Sequence, residues 1–147
     1  MAGRIANASP YIDNYTHGIS GGGTPGDLEV ALQLVYLTFT APNLQYLMDS
    51  PAEFSAFSLR TFRAPEGPAS LLFRLAVHHA GTDAELDAFA GDVVRIVREA
   101  KSVFGEYPAF EGNTYTFIAD YLPWATGDAM EHRNSTILTS AGSIRGN

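Results

Sequence analysis

The spacing of apolar residues predicts one long helix between about Asp83 and Phe104. Within this segment, apolar side chains recur at steps of three and four residues, which places them on one helical face. They are Leu86, Phe89, Ala90, Val93, Val97, Ala100 and Phe104. Thr82 and Glu85 have the spacing of a capping box. Gly105 follows the last apolar position, where a left-handed C-cap favours glycine.

Several short strands are predicted around this helix. The strongest covers residues 71–77, which are apolar almost throughout, as in a strand that is buried on both faces. Alternation or β-branched residues favour further strands at 34–40, 54–62, 114–119 and 136–139. The order of strand, helix, strand, loop and strand predicts an α+β fold, with a small mixed β-sheet packed against one long α-helix. Residues 1–27 are rich in Gly, Ser, Asn and Pro and are interpreted as a flexible lead-in.

Composition narrows the classes of function. The 147 residues are sufficient for one domain, or for one domain with a tail. The chain contains no cysteine, which excludes disulfides, thiolate zinc sites and cysteine nucleophiles. The net charge is −7 and the nine basic residues are scattered, which argues against nucleic acid as a partner. The sequence contains neither a membrane-spanning apolar run nor the pattern of a signal peptide, and it leaves the compartment open.

Residues 127–136 combine ionisable side chains with a predicted strand. Glu131, His132 and Arg133 lie between a glycine-containing loop and the apolar segment that follows. Strand alternation would place Glu131 and Arg133 on one face and His132 on the other. A carboxylate in a cleft suits the ammonium group of a ligand, and the backbone of an edge strand suits an extended peptide. A polar strand entrance with a surface salt bridge is the alternative interpretation.

The segment GDAMEHRNST at 127–136 resembles the GGLEHRNST segment of the glycyl aminopeptidase family of zinc peptidases. It is also similar to the GAMEN exopeptidase motif of the wider aminopeptidase group. Residues 46–51, 104–108 and 115–118 support the resemblance, which covers roughly residues 40–140. Asp128 stands where the family has its second glycine.

The resemblance implies a substrate site and a domain assignment. Glu131 would bind the α-amine of a peptide, and backbone groups of Gly127, Ala129 and Met130 would pair with its main chain. Residues 54–147 would be the N-terminal lobe of a thermolysin-like catalytic domain, and residues 28–53 the end of an upstream β domain. The implied reaction is zinc-assisted hydrolysis of an N-terminal residue, glycine or another small one.

The zinc-binding residues of that family are not found in this sequence. The family holds zinc through a His-Glu-x-x-His helix after this segment and a more distant Glu, and the helix motif is absent here. We therefore expect this chain alone to bind no zinc and to be inactive. A zinc site from His132, a carboxylate and either His78 or His79 is an alternative, although adjacent residues on a strand face opposite ways.

Two further classes of function stay open. The chain could be a non-catalytic module that holds peptide ends through Glu131. It could also be an interaction module that forms a homo-oligomer through an exposed surface of the lobe.

Overall fold

A computed structural model describes residues 6–12 and 17–145 of the chain. The chain divides into two compact units, Met1–Phe54 and Ser55–Asn147. None of the helices within the described residues combines the length and apolar character that crossing a bilayer demands.

The first unit begins with a two-stranded antiparallel ribbon. Strand β1 (Ala6–Ile12) pairs with β2 (His17–Gly23). A Cβ atom at Gly21 would lie 2.3 Å from the carbonyl oxygen of Asn7, so the close approach of the two strands requires glycine there. The sequence predicts a flexible lead-in at residues 1–27. The described residues of this segment include regular secondary structure.

Two helices follow the ribbon: α1 (Leu28–Thr40) and the short α2 (Leu44–Met48). The strand predicted at 34–40 is wrong, because α1 continues to Thr40. Its first half is rich in Leu, Ala, Glu and Gln, which are strong helix formers. The β-branched residues in its second half are accommodated in the helix, where the Thr38 hydroxyl donates to the carbonyl of Leu34 at 2.9 Å. The assignment of residues 28–53 to the end of an upstream β domain stays a prediction.

The second unit is a five-stranded mixed sheet with one long helix. Its elements in chain order are β3 (Ser58–Arg63), β4 (Leu72–His79), α3 (Asp83–Phe104), β5 (Thr114–Tyr121), β6 (Asp128–His132) and β7 (Ser135–Ser140). The spatial order is β3-β4-β5-β7-β6. Strands β4, β5 and β7 are parallel, while β3 and β6 run antiparallel to their neighbours at the two edges. This confirms the predicted α+β fold.

Helix α3 packs on one face of the sheet. It contributes Leu86, Val93 and Val97 to a buried cluster. The sheet contributes alternate residues of β4, with Leu75 and Val77 fully buried. The predicted caps of α3 are both present: Thr82 and Glu85 form a capping box, and Gly105 adopts a left-handed conformation with φ 84°. The core therefore holds β4, β5 and β7 in place, and β6 is positioned through its pairing with β7.

Candidate functional site

Strand β6 contains the residues that the sequence singles out for substrate binding. Ala129, Met130 and Glu131 lie within it and Gly127 lies directly before it. All four residues are exposed. Because β6 is the last strand of the sheet, the structure places these residues along one sheet edge.

Hydrogen bonds on the inner side of β7 show which backbone groups face the neighbouring strand β5. Thr116 donates its backbone N–H to the carbonyl of Asn134 at 3.0 Å, and Leu122 donates to the carbonyl of Ser140 at 3.2 Å. The even-numbered residues of β7 therefore direct their backbone groups towards β5. Because these directions alternate along a strand, the odd-numbered residues of β7 direct theirs towards β6.

The register between β7 and β6 then fixes the outer edge of β6. The odd-numbered residues of β7 lie opposite Asp128, Met130 and His132, so these three residues pair with β7. The remaining residues of β6, Ala129 and Glu131, direct their backbone N–H and C=O away from the sheet. Outward backbone groups of this kind are those that an added peptide strand would use.

The side chain of Glu131 projects on the same face of the sheet as α3. Glu131 lies opposite Thr136 in the register, and paired residues direct their side chains to the same face. The Thr136 hydroxyl forms a hydrogen bond with the hydroxyl of Tyr115, whose ring packs against the core on the α3 side. Met130 faces the opposite side and is 56% exposed. The Glu131 carboxylate therefore lies at the margin of the α3 face.

The side chain of Asp128, the first residue of β6, forms a hydrogen bond within the same strand. Its Oδ1 atom accepts a hydrogen bond from the backbone N–H of Ala129 at 2.8 Å. Asp128 is the first residue of strand β6, and it is not among the non-glycine residues with a positive φ in the described part of the chain. The absence of a second glycine at this position therefore introduces no backbone strain.

The turn after β6 differs from the sequence expectation. Strand β6 ends at His132 and the two residues that follow form the turn to β7. Strand alternation therefore does not extend to Arg133, and the prediction that Glu131 and Arg133 share a strand face is wrong. Asn134 anchors the turn, since its side-chain oxygen accepts the backbone N–H of Glu111 at 2.9 Å. Asparagine is typical of such turns, although the sequence does not reveal its distant partner.

The loop between β5 and β6 is fixed at several points. Ala125 donates its N–H to the carbonyl of Leu122 at 2.9 Å, and the Thr139 hydroxyl donates to the carbonyl of Thr126. Trp124 lies in this loop and is 64% exposed. The start of β6 is therefore held against β7 by both backbone and side-chain contacts.

The histidines of the second unit do not converge on His132. His78 and His79 end β4, which lies three strand spacings from β6, roughly 14 Å. His79 Nδ1 accepts the N–H of Gly81 at 3.1 Å, and His78 Nδ1 lies 3.5 Å from Asp120 Oδ1. The alternative zinc site of His132 with His78 or His79 is therefore not formed, and these residues do not fit such a zinc ion.

A cavity of about 340 Å³ lies at the carboxyl ends of the parallel strands, where sequence reasoning indicated no site. Its lining includes Gly81, Glu85, Tyr121 and Ile144. Hydrogen bonds from the backbone and hydroxyl of Thr82 lower the pKa of Glu85, and burial raises the pKa of Tyr121. No sequence motif predicts this cavity, because it forms where three separate loops meet.

Comparison with known proteins shows that the fold of this chain is similar to part of a solved structure. No family model and no curated protein matches the chain. Among solved structures, an aminopeptidase N family protein from Idiomarina loihiensis is similar, with a TM-score of 0.52 and 18% sequence identity over 93% of this chain. The similarity covers 19% of that protein, so this chain spans about a fifth of its length. At this identity the likeness concerns the fold alone: the chain has an α+β fold similar to part of that protein.

Proposed function

We propose that the unit Ser55–Asn147 carries the substrate-binding edge of an aminopeptidase-type hydrolase, in which Glu131 binds the N-terminal ammonium group of a peptide. The observation that carries this proposal is the position of Glu131. Its side chain is exposed, it lies on an edge strand, and its backbone groups point away from β7. A single residue thus offers a carboxylate for the ammonium group and main-chain groups for the peptide.

In this proposal the peptide is added to the sheet as a further strand. The outward groups of Ala129 and Glu131 are two residues apart, roughly 7 Å. A peptide with its amino end at Glu131 would run antiparallel to β6 and reach Ala129 about two residues later. Gly127 would continue the contact without a side chain in the way. The pairing with the peptide main chain that the resemblance implies for Met130 is not part of this proposal, because Met130 directs its backbone groups towards β7.

The identity of the reaction rests on the sequence resemblance. The glycyl aminopeptidase-like segment favours zinc-assisted hydrolysis of an N-terminal glycine or another small residue in the whole protein. Zinc would supply the activation of the attacking water when it is bound. The sequence contains no His-Glu-x-x-His motif, so we assign no step at the metal to residues of this chain. We propose that this chain binds peptide ends but does not hydrolyse them alone.

Calorimetry with the wild type and two variants tests the binding role. We expect glycinamide, which carries an ammonium group, to bind the chain, and Glu131→Gln to weaken it about tenfold through loss of a charge-assisted contact. Acetylglycinamide, which is neutral, should not distinguish Glu131→Gln from the wild type. Glu106→Gln removes a similar exposed charge elsewhere in the unit and serves as the control. Equal glycinamide binding by wild type and Glu131→Gln would contradict the proposal.

A hydrolysis assay tests the statement about activity. We expect the chain with one equivalent of zinc to leave a chromogenic glycine anilide intact. Turnover that persists after repeated purification, and that is lost in Glu131→Gln, would contradict the expected inactivity and keep the assignment of Glu131.

Self-association is a second candidate function, and the exposed face of α1 favours it. Leu28, Leu32, Tyr36 and Phe39 follow one another at helical spacing and are 59%, 59%, 68% and 75% exposed. Such an apolar stripe is typical of an interaction surface. Sedimentation over a range of concentrations should show a dimer that Phe39→Ser weakens. A monomer throughout that range would exclude this candidate.

A further inference from the structure

We propose that Asp128 is an internal competitor of the peptide, because its carboxylate occupies the backbone N–H of Ala129 that the peptide would need. This inference rests on the proposed function of the β6 edge and adds a regulation of that site. In this inference, Asp128 lowers the affinity for peptides that are long enough to reach Ala129 and leaves the affinity for shorter ones unchanged.

The competition follows from the direction of one backbone group. The N–H of Ala129 points away from β7, as the register of the sheet requires. Its partner is Asp128 Oδ1, at 2.8 Å. A peptide carbonyl paired with Ala129 would need the same N–H. The two acceptors therefore exclude each other, and the Asp128 carboxylate must be displaced before the peptide pairs there.

The carboxylate is a strong competitor for two reasons. An ionised acceptor forms a stronger hydrogen bond with an N–H than a neutral carbonyl does. The acceptor also belongs to the residue next to Ala129, so its contact with the N–H costs little additional chain entropy. Displacement therefore costs affinity for every peptide that reaches Ala129.

Peptide length separates this effect from binding at Glu131. Ala129 and Glu131 are two residues apart, and an extended strand covers this distance with about two residues. Glycinamide anchored at Glu131 does not reach Ala129, whereas tetraglycine amide does. Removal of the Asp128 carboxylate should therefore change the affinity for the longer ligand only.

A purely electrostatic role of Asp128 predicts a change in peptide affinity of the opposite sign, so the experiment distinguishes the two roles. If Asp128 acted only as a negative charge near the peptide ammonium, its removal would weaken binding of both ligands. If it acts by occupying the N–H of Ala129, its removal strengthens binding of the longer ligand.

The test compares Asp128→Ala with Asp128→Asn in the full chain. Alanine removes the acceptor, whereas asparagine keeps an acceptor oxygen without the charge. By calorimetry, we expect Asp128→Ala to bind tetraglycine amide about fivefold more tightly than the wild type. Glycinamide affinity should stay unchanged, and Asp128→Asn should lie between the wild type and Asp128→Ala for the longer ligand.

A measurement without ligand tests the hydrogen bond itself. We expect amide hydrogen exchange at Ala129, followed by NMR, to be about fivefold faster in Asp128→Ala than in the wild type. Asp128→Asn should retain part of the protection. Equal exchange in the wild type and Asp128→Ala would overturn the inference whatever the ligands do.

The outcomes distinguish this inference from the proposed function. If Glu131→Gln leaves glycinamide binding intact while Asp128→Ala tightens tetraglycine amide, the role of Glu131 fails and the competition at Ala129 stands. If Asp128→Ala changes the affinity for both ligands equally, or leaves that for tetraglycine amide at the wild-type value, the inference is overturned. An Asp128→Ala chain that self-associates without tighter peptide binding would also overturn it, and would assign Asp128 to protecting the sheet edge.

Discussion

The side-chain oxygen of Asn134 accepts a hydrogen bond from the backbone N–H of Glu111 at 2.9 Å. Asn134 belongs to the turn between β6 and β7, whereas Glu111 belongs to the short 3-10 turn that precedes β5. The carbonyl of Asn134 also accepts the N–H of Thr116 in β5. One turn residue therefore connects the edge hairpin both to the central strand β5 and to the turn that precedes it.

Replacement of Asn134 should destabilise the fold moderately. Asn134→Ala removes the acceptor for the Glu111 N–H, and a lost hydrogen bond of this kind costs about 1 kcal/mol. We expect urea denaturation to show a lower midpoint with an unchanged slope. Asn134→Asp keeps an acceptor oxygen for the Glu111 N–H. It also replaces the amide that donates to Glu111 Oε2 at 3.5 Å with a second carboxylate, so charge repulsion should let it recover only part of the stability. Equal midpoints for wild type and Asn134→Ala would show that the bond contributes nothing to stability.

Helix α3 offers a matched pair of positions for testing the core. Leu86 is fully buried, whereas Ile96 on the same helix is 66% exposed. Leu86→Ala leaves a cavity next to β4 and should lower the free energy of unfolding by about 2–5 kcal/mol. Ile96→Ala should change it by about 0.5 kcal/mol or less. Similar losses for both variants in denaturant titrations would contradict this packing of α3.

The sequence predicts α3 well because its signals are local. The apolar period, the capping box of Thr82 and Glu85, and the glycine at 105 all lie within one segment and all agree. Each signal depends on neighbours three or four residues away. No knowledge of the remaining fold is needed to interpret them.

Helix α1 shows where local signals conflict. Its run LEVALQLVYLTFT is apolar at both helical and strand spacing, and the aromatic and β-branched residues after Leu34 favour a strand. In the structure, the whole segment is helical. Short apolar runs do not distinguish the two periods by themselves. Here the helix that begins in the first half, among strong helix formers, continues through the second half.

The sequence indicates which residues form the candidate site, but it does not give their geometry. The sequence places Glu131 in a strand after a loop, and the resemblance gives it a role. That β6 is an edge strand depends on β7, which follows it in the chain yet lies between it and β5. The outward direction of the Ala129 N–H depends on the register of two strand pairs. Both are non-local properties that no single segment encodes.

Tyr121 should titrate above the usual range of a tyrosine. Burial raises the pKa of its hydroxyl, because the ionised form is poorly solvated there. Its neutral form therefore favours the folded state below about pH 10, and this contribution is lost as the pH rises through the pKa of the folded state. Near-ultraviolet titration of the wild type and Tyr121→Phe should show that the variant lacks a late-ionising group. Loss of an early-ionising group instead would contradict this prediction.

Glu85 should make the stability of the second unit depend on pH in acid. The backbone N–H of Thr82 donates to its Oε2 atom at 2.6 Å, and the Thr82 hydroxyl donates at 2.9 Å. These bonds lower the pKa of Glu85, and the guanidinium of Arg145, whose Nε lies 2.9 Å from Oε1, acts in the same direction. The ionised form is therefore favoured in the folded state.

The sign of the effect follows from this lowered pKa. The stabilising contribution of Glu85 is present above the ordinary glutamate pKa of about 4.3 and is lost as the pH falls through the lower value of the folded state. We expect wild type to be more stable than Glu85→Gln at neutral pH, and the difference to shrink steadily in acid. Denaturant titrations of both proteins at a series of pH values measure it. A difference that stays constant from neutral to strongly acidic solution would show that the capping contact does not depend on the charge of Glu85.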